Sequence, residues 1–201
     1  MKLFFSPTSP YVRKCMACAH ELGLVDRIQL LPSKAHPVDR DANIVAANPL
    51  GKVPTLVTDE GQALYDSRVI CEFLNAIGGG TLFPTDGSRW NALALQALAD
   101  GMLDACLLAR YEEVARPEAL RSADWRRGQL DKVASALAAL EAGTPALDQN
   151  VHIGNLATGC ALGYLDLRFP ELAWRDHHSK LAAWWAAFGA RPSMTAVWAL
   201  A

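Results

Sequence analysis

The chain has 201 residues, 51% of them hydrophobic and 20% charged, with 19 basic against 21 acidic residues for a formal net charge of −2. That balance, with no run of Lys or Arg, excludes a nucleic-acid binder that works through a basic face. The apolar share is that of a globular chain with room for one ordinary domain or two small ones.

Met1 to Pro7 is too short for the apolar core of a secretory signal, and Pro7 interrupts it. No stretch approaches the ~18 continuous apolar residues of a membrane span. The cysteines Cys15, Cys18, Cys71, Cys106 and Cys160 are odd in number and scattered, which points to free thiols in a reducing compartment. The expectation is a soluble cytoplasmic protein with neither a membrane nor a nucleic acid among its partners.

Lys2-Leu3-Phe4-Phe5 reads as a short apolar strand, and Ser6-Pro7-Thr8-Ser9-Pro10-Tyr11 turns it into a helix. Ser9 is a good N-cap and Pro10 suits the first helical position, where no N–H is needed. The stripe Val12, Cys15, Met16, Ala19, Leu22 recurs at helical spacing and ends at Gly23. A hydroxyl therefore sits at a positive helix end just past a buried strand, which suits an anion and a thiolate in particular. A plain helix cap accounts for Ser9 equally well. Cys15-Met16-Ala17-Cys18 has C-x-x-C spacing, but it begins six residues past the cap and no second pair completes a zinc site. It reads as core packing.

Arg27-Ile28-Gln29-Leu30-Leu31 is a second strand, giving a βαβ unit. Pro32 to Arg40 is a polar loop, and Asp41 to Ala47 a short helix of weak formers. Asn48-Pro49-Leu50-Gly51-Lys52-Val53-Pro54 is a turn leading into a strand, Thr55 to Thr58. Asp59-Glu60-Gly61-Gln62 is a hairpin turn to an antiparallel Ala63-Leu64-Tyr65. Asp66-Ser67 then opens a helix that runs to Ile77, with Val69, Ile70, Phe73 and Leu74 on its buried face. The unpaired amides of that helix start and the Ser67 hydroxyl can take a carboxylate, while Asp66 can grip an ammonium. An α-amino acid head carries both charges. An N-cap pair with no ligand fits the residues too.

Gly78-Gly79-Gly80 marks a boundary, beyond which only helices are evident. Ser88 to about Arg116 is one long helix with the apolar stripe Leu95, Leu98, Met102, Ala105, Cys106, Ala109. Asp124 caps a second, Trp125 to Glu141, stopped by Gly143-Thr144-Pro145. Asn155 starts a third, Leu156 to Leu167, in which Gly159 and Gly163 allow close packing and which Pro170 stops. Ser179 caps a last helix through Ala190 that carries Trp184, Trp185 and Phe188.

The strand–Ser9-Pro10-Tyr11–helix arrangement resembles the active-site turn of glutaredoxin-type folds, with Ser9 where Cys-Pro-Tyr-Cys carries its nucleophile. With Asn48-Pro49-Leu50-Gly51-Lys52-Val53-Pro54, Asp66-Ser67 and the helical remainder, essentially the whole chain resembles the cytosolic, serine-type, bacterial-like glutathione transferases. That resemblance implies an α/β thioredoxin-like N-terminal domain (βαβαββα) followed by an all-α helical bundle. It divides the chain into a glutathione-binding domain at 1–79, a linker at 80–87 and a helical domain at 88–201 that completes the electrophile pocket.

The resemblance also assigns residues. It implies a cis Val53-Pro54 bond, with the Val53 backbone holding the cysteinyl unit of glutathione. Asp66 and Ser67 hold the γ-glutamyl group, and Lys52 is the match for the glycyl carboxylate, with Lys34, His36 and Arg40 as further candidates. Ser9 faces the sulfur as a stabiliser of its thiolate, not as nucleophile or base; Thr8, Ser6 and Tyr11 are the alternatives. Asn155-Leu156-Ala157-Thr158 stands where the family has a capping box, with Thr158 in place of the usual Asp. The implied activity is transfer of glutathione sulfur to a small hydrophobic electrophile or peroxide by a homodimer, with glutathione as co-substrate and no metal. Two other functions stay open. One is a non-catalytic scaffold or regulator of the same fold; the other is a thiol–disulfide oxidoreductase, which needs a cysteine where Ser9 stands.

Overall fold

The computed structural model describes residues 1–144, 147 and 150–199. They form two compact units, Met1–Arg89 with Pro192–Ala201, and Trp90–Arg191.

In the first unit β1 (Lys2–Phe5), α1 (Pro10–Glu21), β2 (Gln29–Pro32), α2 (Ala42–Ala47), β3 (Thr55–Val57), β4 (Ala63–Leu64) and α3 (Ser67–Ile77) follow the βαβαββα order. The sheet order is β2-β1-β3-β4, with β2 parallel to β1 and the other two pairings antiparallel. A turn of 3-10 helix at Val25–Arg27 delays β2 to Gln29, beyond its expected start. Asp41 stands outside α2 as its N-cap, its carboxylate accepting from the Asn43 N–H at 2.9 Å and the Lys34 N–H at 3.2 Å. Those donors hold its carboxyl below the ordinary 3.8.

Leu3, Val12, Cys15, Met16, Cys18, Leu56, Ile70, Cys71 and Leu74 are buried between sheet and helices. On α3 the buried face runs through Ile70, Cys71 and Leu74, and Val69, expected there, is 47% exposed. Cys71 is buried there instead, its sulfur 3.9 Å from that of Cys15. Burial foremost, then the Cys71 contact, pushes the Cys15 thiol well above its ordinary value, so this sulfur is a packing group. The five cysteines are free thiols.

Register decides which segments share an edge of the sheet. Phe4 faces Thr55 and Leu56 faces Leu64, so β1 ends where β3 begins and where β4 ends. Parallel β2 ends on the same edge, Phe5 opposite Pro32, and the Ser33 N–H bonds the Phe5 carbonyl at 2.9 Å. The Ser6–Ser9 turn, the 48–54 turn, the start of α3 and the loop after Pro32 thus leave the sheet along one rim.

Asn48 braces the second of these. It is 1% exposed, and its amide donates to the Lys52 carbonyl (3.3 Å) and Thr55 Oγ1 (3.0 Å) while its Oδ1 accepts from the Leu50 N–H (3.0 Å). Gly51 takes φ +64, with Arg40 and Val45 packed where a Cβ would lie.

The second unit contains most of α4 (Arg89–Val114), then α5 (Ala123–Gly143), α6 (Ile153–Arg168), α7 (Trp174–His177) and α8 (Ser179–Phe188). By length and composition alone α4 is apolar enough to cross a bilayer, yet half of its most apolar stretch is buried inside the fold. Its buried face includes Ala99, Met102, Leu103 and Cys106, whereas Leu98 is 36% exposed. Ser122, not Asp124, caps α5, because its Oγ takes the Trp125 N–H at 3.2 Å. Its own N–H goes to the buried Glu112 at 2.7 Å, which ties α5 to α4. Pro145, expected as a stop for α5, lies outside the described residues.

His152, not Asn155, caps α6: Nδ1 accepts from the N–H groups of Gly154 (3.2 Å) and Asn155 (3.4 Å). The expected capping stretch is therefore helix interior, with Asn155 bonded to the Asn150 carbonyl and Thr158 to the Gly154 carbonyl, each at 2.9 Å. Close approach to α4 is made at Gly154, where a Cβ would lie 2.7 Å from the Ala92 carbonyl oxygen. Ser179 is the first residue of α8, not its cap, and Glu141 receives the N–H groups of Lys180 (3.2 Å) and Leu181 (2.8 Å). A further short helix, α9 (Pro192–Trp198), follows Arg191 and packs along α1 in the first unit.

Two outcomes follow from these contacts. Asn48→Ala leaves the Leu50 N–H and Thr55 hydroxyl short of partners, and is expected to lower stability by about 1–3 kcal/mol in urea unfolding. Glu141 is held below its ordinary 4.5 chiefly by the Leu181 N–H, so its contribution is complete above that pH and fades as pH falls through the lowered value. Glu141→Gln should therefore melt below the wild type at pH 7, with the gap closing once the pH drops under 4.5.

Candidate functional site

The rim begins at a turn closed by the Ser9 N–H on the Ser6 carbonyl, 3.0 Å apart. Ser9 holds extended backbone angles, φ −73 and ψ 119, and its Oγ accepts from the Val12 N–H at 3.3 Å. Capping uses a lone pair of the oxygen. A hydroxyl has two of these and one proton, so the cap leaves the O–H available as a donor. The half-buried Ser9 lies at the positive end of a 12-residue helix.

Next along the rim the Val53-Pro54 peptide is cis. Pro54 is buried and Val53 half-buried, while the Lys52 side chain is exposed and its carbonyl is held by Thr55 Oγ1 at 2.8 Å. A backbone edge beside a strand can receive a short peptide as an added strand.

At the third position the Tyr65-Asp66 peptide is also cis. Asp66 is exposed and caps α3, its Oδ1 accepting from the Arg68 N–H at 2.9 Å. Ser67 is the first helical residue, 2% exposed, and its carbonyl lies 3.8 Å from Cys15 Sγ. A carboxylate and a helix start thus adjoin, one suited to an ammonium and the other to a carboxylate.

The loop after β2 also leaves from this edge and carries Lys34, His36 and Arg40. Arg40 donates to the Pro49 carbonyl, and His36 Nδ1 accepts from the Val38 (3.3 Å) and Asp39 (3.0 Å) N–H groups, so both brace main chain. The Lys34 N–H goes to Asp41, and its side chain is exposed. Among the described residues, no group of three or more His, Cys, Asp or Glu is arranged to hold a metal ion.

Two supporting residues went unnoticed in the sequence. Asn48 was readable, because Asn before a Pro-x-Gly turn commonly bonds main chain two residues on. Arg13 was not: it is 1% exposed, donates from Nε to the Pro7 carbonyl at 2.9 Å, and lies 3.9 Å from the Trp198 ring centre.

Residues 8–77 match the family model described as glutathione S-transferase, N-terminal domain. The chain is 37% identical over 191 residues to the uncharacterized GST-like protein YibF of Escherichia coli K12, covering 90% of this chain and 91% of that one. A glutathione transferase family member from Pseudomonas fluorescens Pf-5, solved with bound glutathione, superposes with TM-score 0.95 at 48% identity, over 98% of this chain and 97% of that one. A glutathione S-transferase from Methylobacillus flagellatus KT, also with glutathione bound, gives TM-score 0.86 at 34% identity over 98% of each chain. With identity at this level along almost the whole length, the protein belongs to the glutathione transferase family.

Proposed function

We propose that the protein binds glutathione along the rim of its N-terminal sheet and stabilises the thiolate through Ser9 for attack on a small hydrophobic electrophile or a peroxide. The observation that carries this reading is the common edge shared by Ser9, Val53-Pro54 and Asp66-Ser67. It is supported by the glutathione held in the Pseudomonas relative at 48% identity.

A thiol of pKa ~8.5 is only a few per cent ionised at pH 7, so the enzyme's task is to favour the anion. The Ser9 O–H donates to sulfur while α1 presents its positive end, and both interactions are stronger with the thiolate than with the thiol. Ser9 removes no proton and forms no bond to carbon. Val53 pairs with the cysteinyl unit through its backbone, against Pro54. Asp66 takes the γ-glutamyl ammonium, Ser67 and the α3 amides take the γ-glutamyl carboxylate, and Lys52 takes the glycyl carboxylate. The working form is a cytoplasmic homodimer with glutathione as co-substrate and no metal.

Ser9→Ala is expected to bind glutathione almost as well as the wild type in equilibrium dialysis. Ultraviolet titration of the bound thiol should show its pKa raised by about one unit, which leaves about tenfold less thiolate at a pH well below the wild-type value. An unchanged titration moves the role to Thr8, Ser6 or Tyr11. Binding without turnover of chloronitrobenzene-type or hydroperoxide substrates is the result that a scaffold would give.

A further inference from the structure

We infer that Arg13 is a positioning residue for Ser9, and that the C-terminal helix holds it in place through Trp198. The meaning of this for catalysis rests on the Ser9 reading above; the contacts themselves do not.

Arg13 lies in the opening turns of α1, the positive end of the helix, where a cation gains nothing from the macrodipole. It is also 1% exposed, and a buried guanidinium is costly unless its donors are used. Its presence there needs a reason other than helix stability. The reason lies in the turn before Ser9. That turn is closed at its ends by the bond from the Ser9 N–H to the Ser6 carbonyl, and the Arg13 Nε–H grips its middle at the Pro7 carbonyl, 2.9 Å away. The Arg13 main-chain N–H bonds the Ser9 carbonyl at 3.1 Å. That main-chain bond is the ordinary first bond of the helix, so the side chain's own hold on the turn is the Nε–H at the Pro7 carbonyl. A hydroxyl proton donates usefully only within a narrow range of angles, so tilting the Pro7–Ser9 turn withdraws it from an anion without disturbing other parts of the rim.

The guanidinium is in turn covered by the Trp198 ring at 3.9 Å, a cation–π distance. Trp198 reaches it because α9 runs back along α1. Ser193 bonds Glu21 near the end of α1, and Met194 and Val197 are fully buried. A segment from the far end of the sequence thus governs the orientation of Ser9 through one arginine.

Arg13→Met removes donor and charge while keeping volume, and Trp198→Leu removes only the cover. In the unliganded protein both should speed amide exchange at Ser9 and leave α3 unchanged. With glutathione bound, both should raise the thiol pKa by up to about one unit, costing up to about tenfold in thiolate at neutral pH. Affinity for S-methylglutathione, which has no thiol, should stay at the wild-type value. Arg13→Met should add no further rise in a Ser9→Ala background, since both changes act on one hydroxyl. Wild-type thiol pKa and Ser9 exchange in folded Arg13→Met or Trp198→Leu overturn this inference while leaving the Ser9 reading intact. A rise of the same size with and without Ser9 overturns it as well. If Arg13→Met does not fold, Trp198→Leu decides alone. Should Ser9→Ala itself leave the titration unchanged, the Ser9 reading falls, and the catalytic meaning of Arg13 falls with it.

Discussion

Antiparallel pairing of β3 with β1, Phe4 opposite Thr55 and Leu3 opposite Leu56, is the constraint from which the rest of the first unit follows. It brings the residues after Phe5 and those before Thr55 to one edge of the sheet. β4, hydrogen-bonded to β3, must then deliver Asp66 to that edge as well. Slipping the register by one residue would put Leu3 and Leu56, 1% and 0% exposed, on opposite faces of the sheet and turn one of them away from the core, so the apolar pattern enforces the geometry of the rim.

Strands this short position their loops only coarsely, and buried polar side chains supply the finer control. Asn48 satisfies the Leu50 N–H and the Lys52 carbonyl within the 48–54 turn, and Arg13 holds the Pro7 carbonyl of the turn before Ser9. Each fixes a backbone shape, and each is buried to 1% exposure, where a bond left unmade is costly. Such contacts hold a site to the tolerance that hydrogen bonding to a small ligand requires.

Ser9 illustrates how one atom serves structure and chemistry together. As an acceptor it satisfies the Val12 N–H, and as a donor its proton remains. The cap reading and the thiolate reading of this residue, which compete on paper, describe different sides of one oxygen. The same holds for Asp66, where Oδ1 caps α3 and the second oxygen is still an acceptor.

Much of the first unit could be read from residue order alone. Ser9 before Pro10, Asp66 before Ser67, and the turn residues around Gly51 and Gly61 act over a few positions, and short-range sterics and capping are written in neighbouring residues. The helical unit was legible in the number of its long helices but not in their starts. Ser122 caps α5 where Asp124 was the better local candidate, and α8 begins on a carboxylate supplied by Glu141. The buried face of α3 includes Cys71 against Cys15 of α1, and Arg13 is buried beside Trp198 of α9. These choices belong to contacts between distant segments, whose partners no local pattern of spacing or propensity can name.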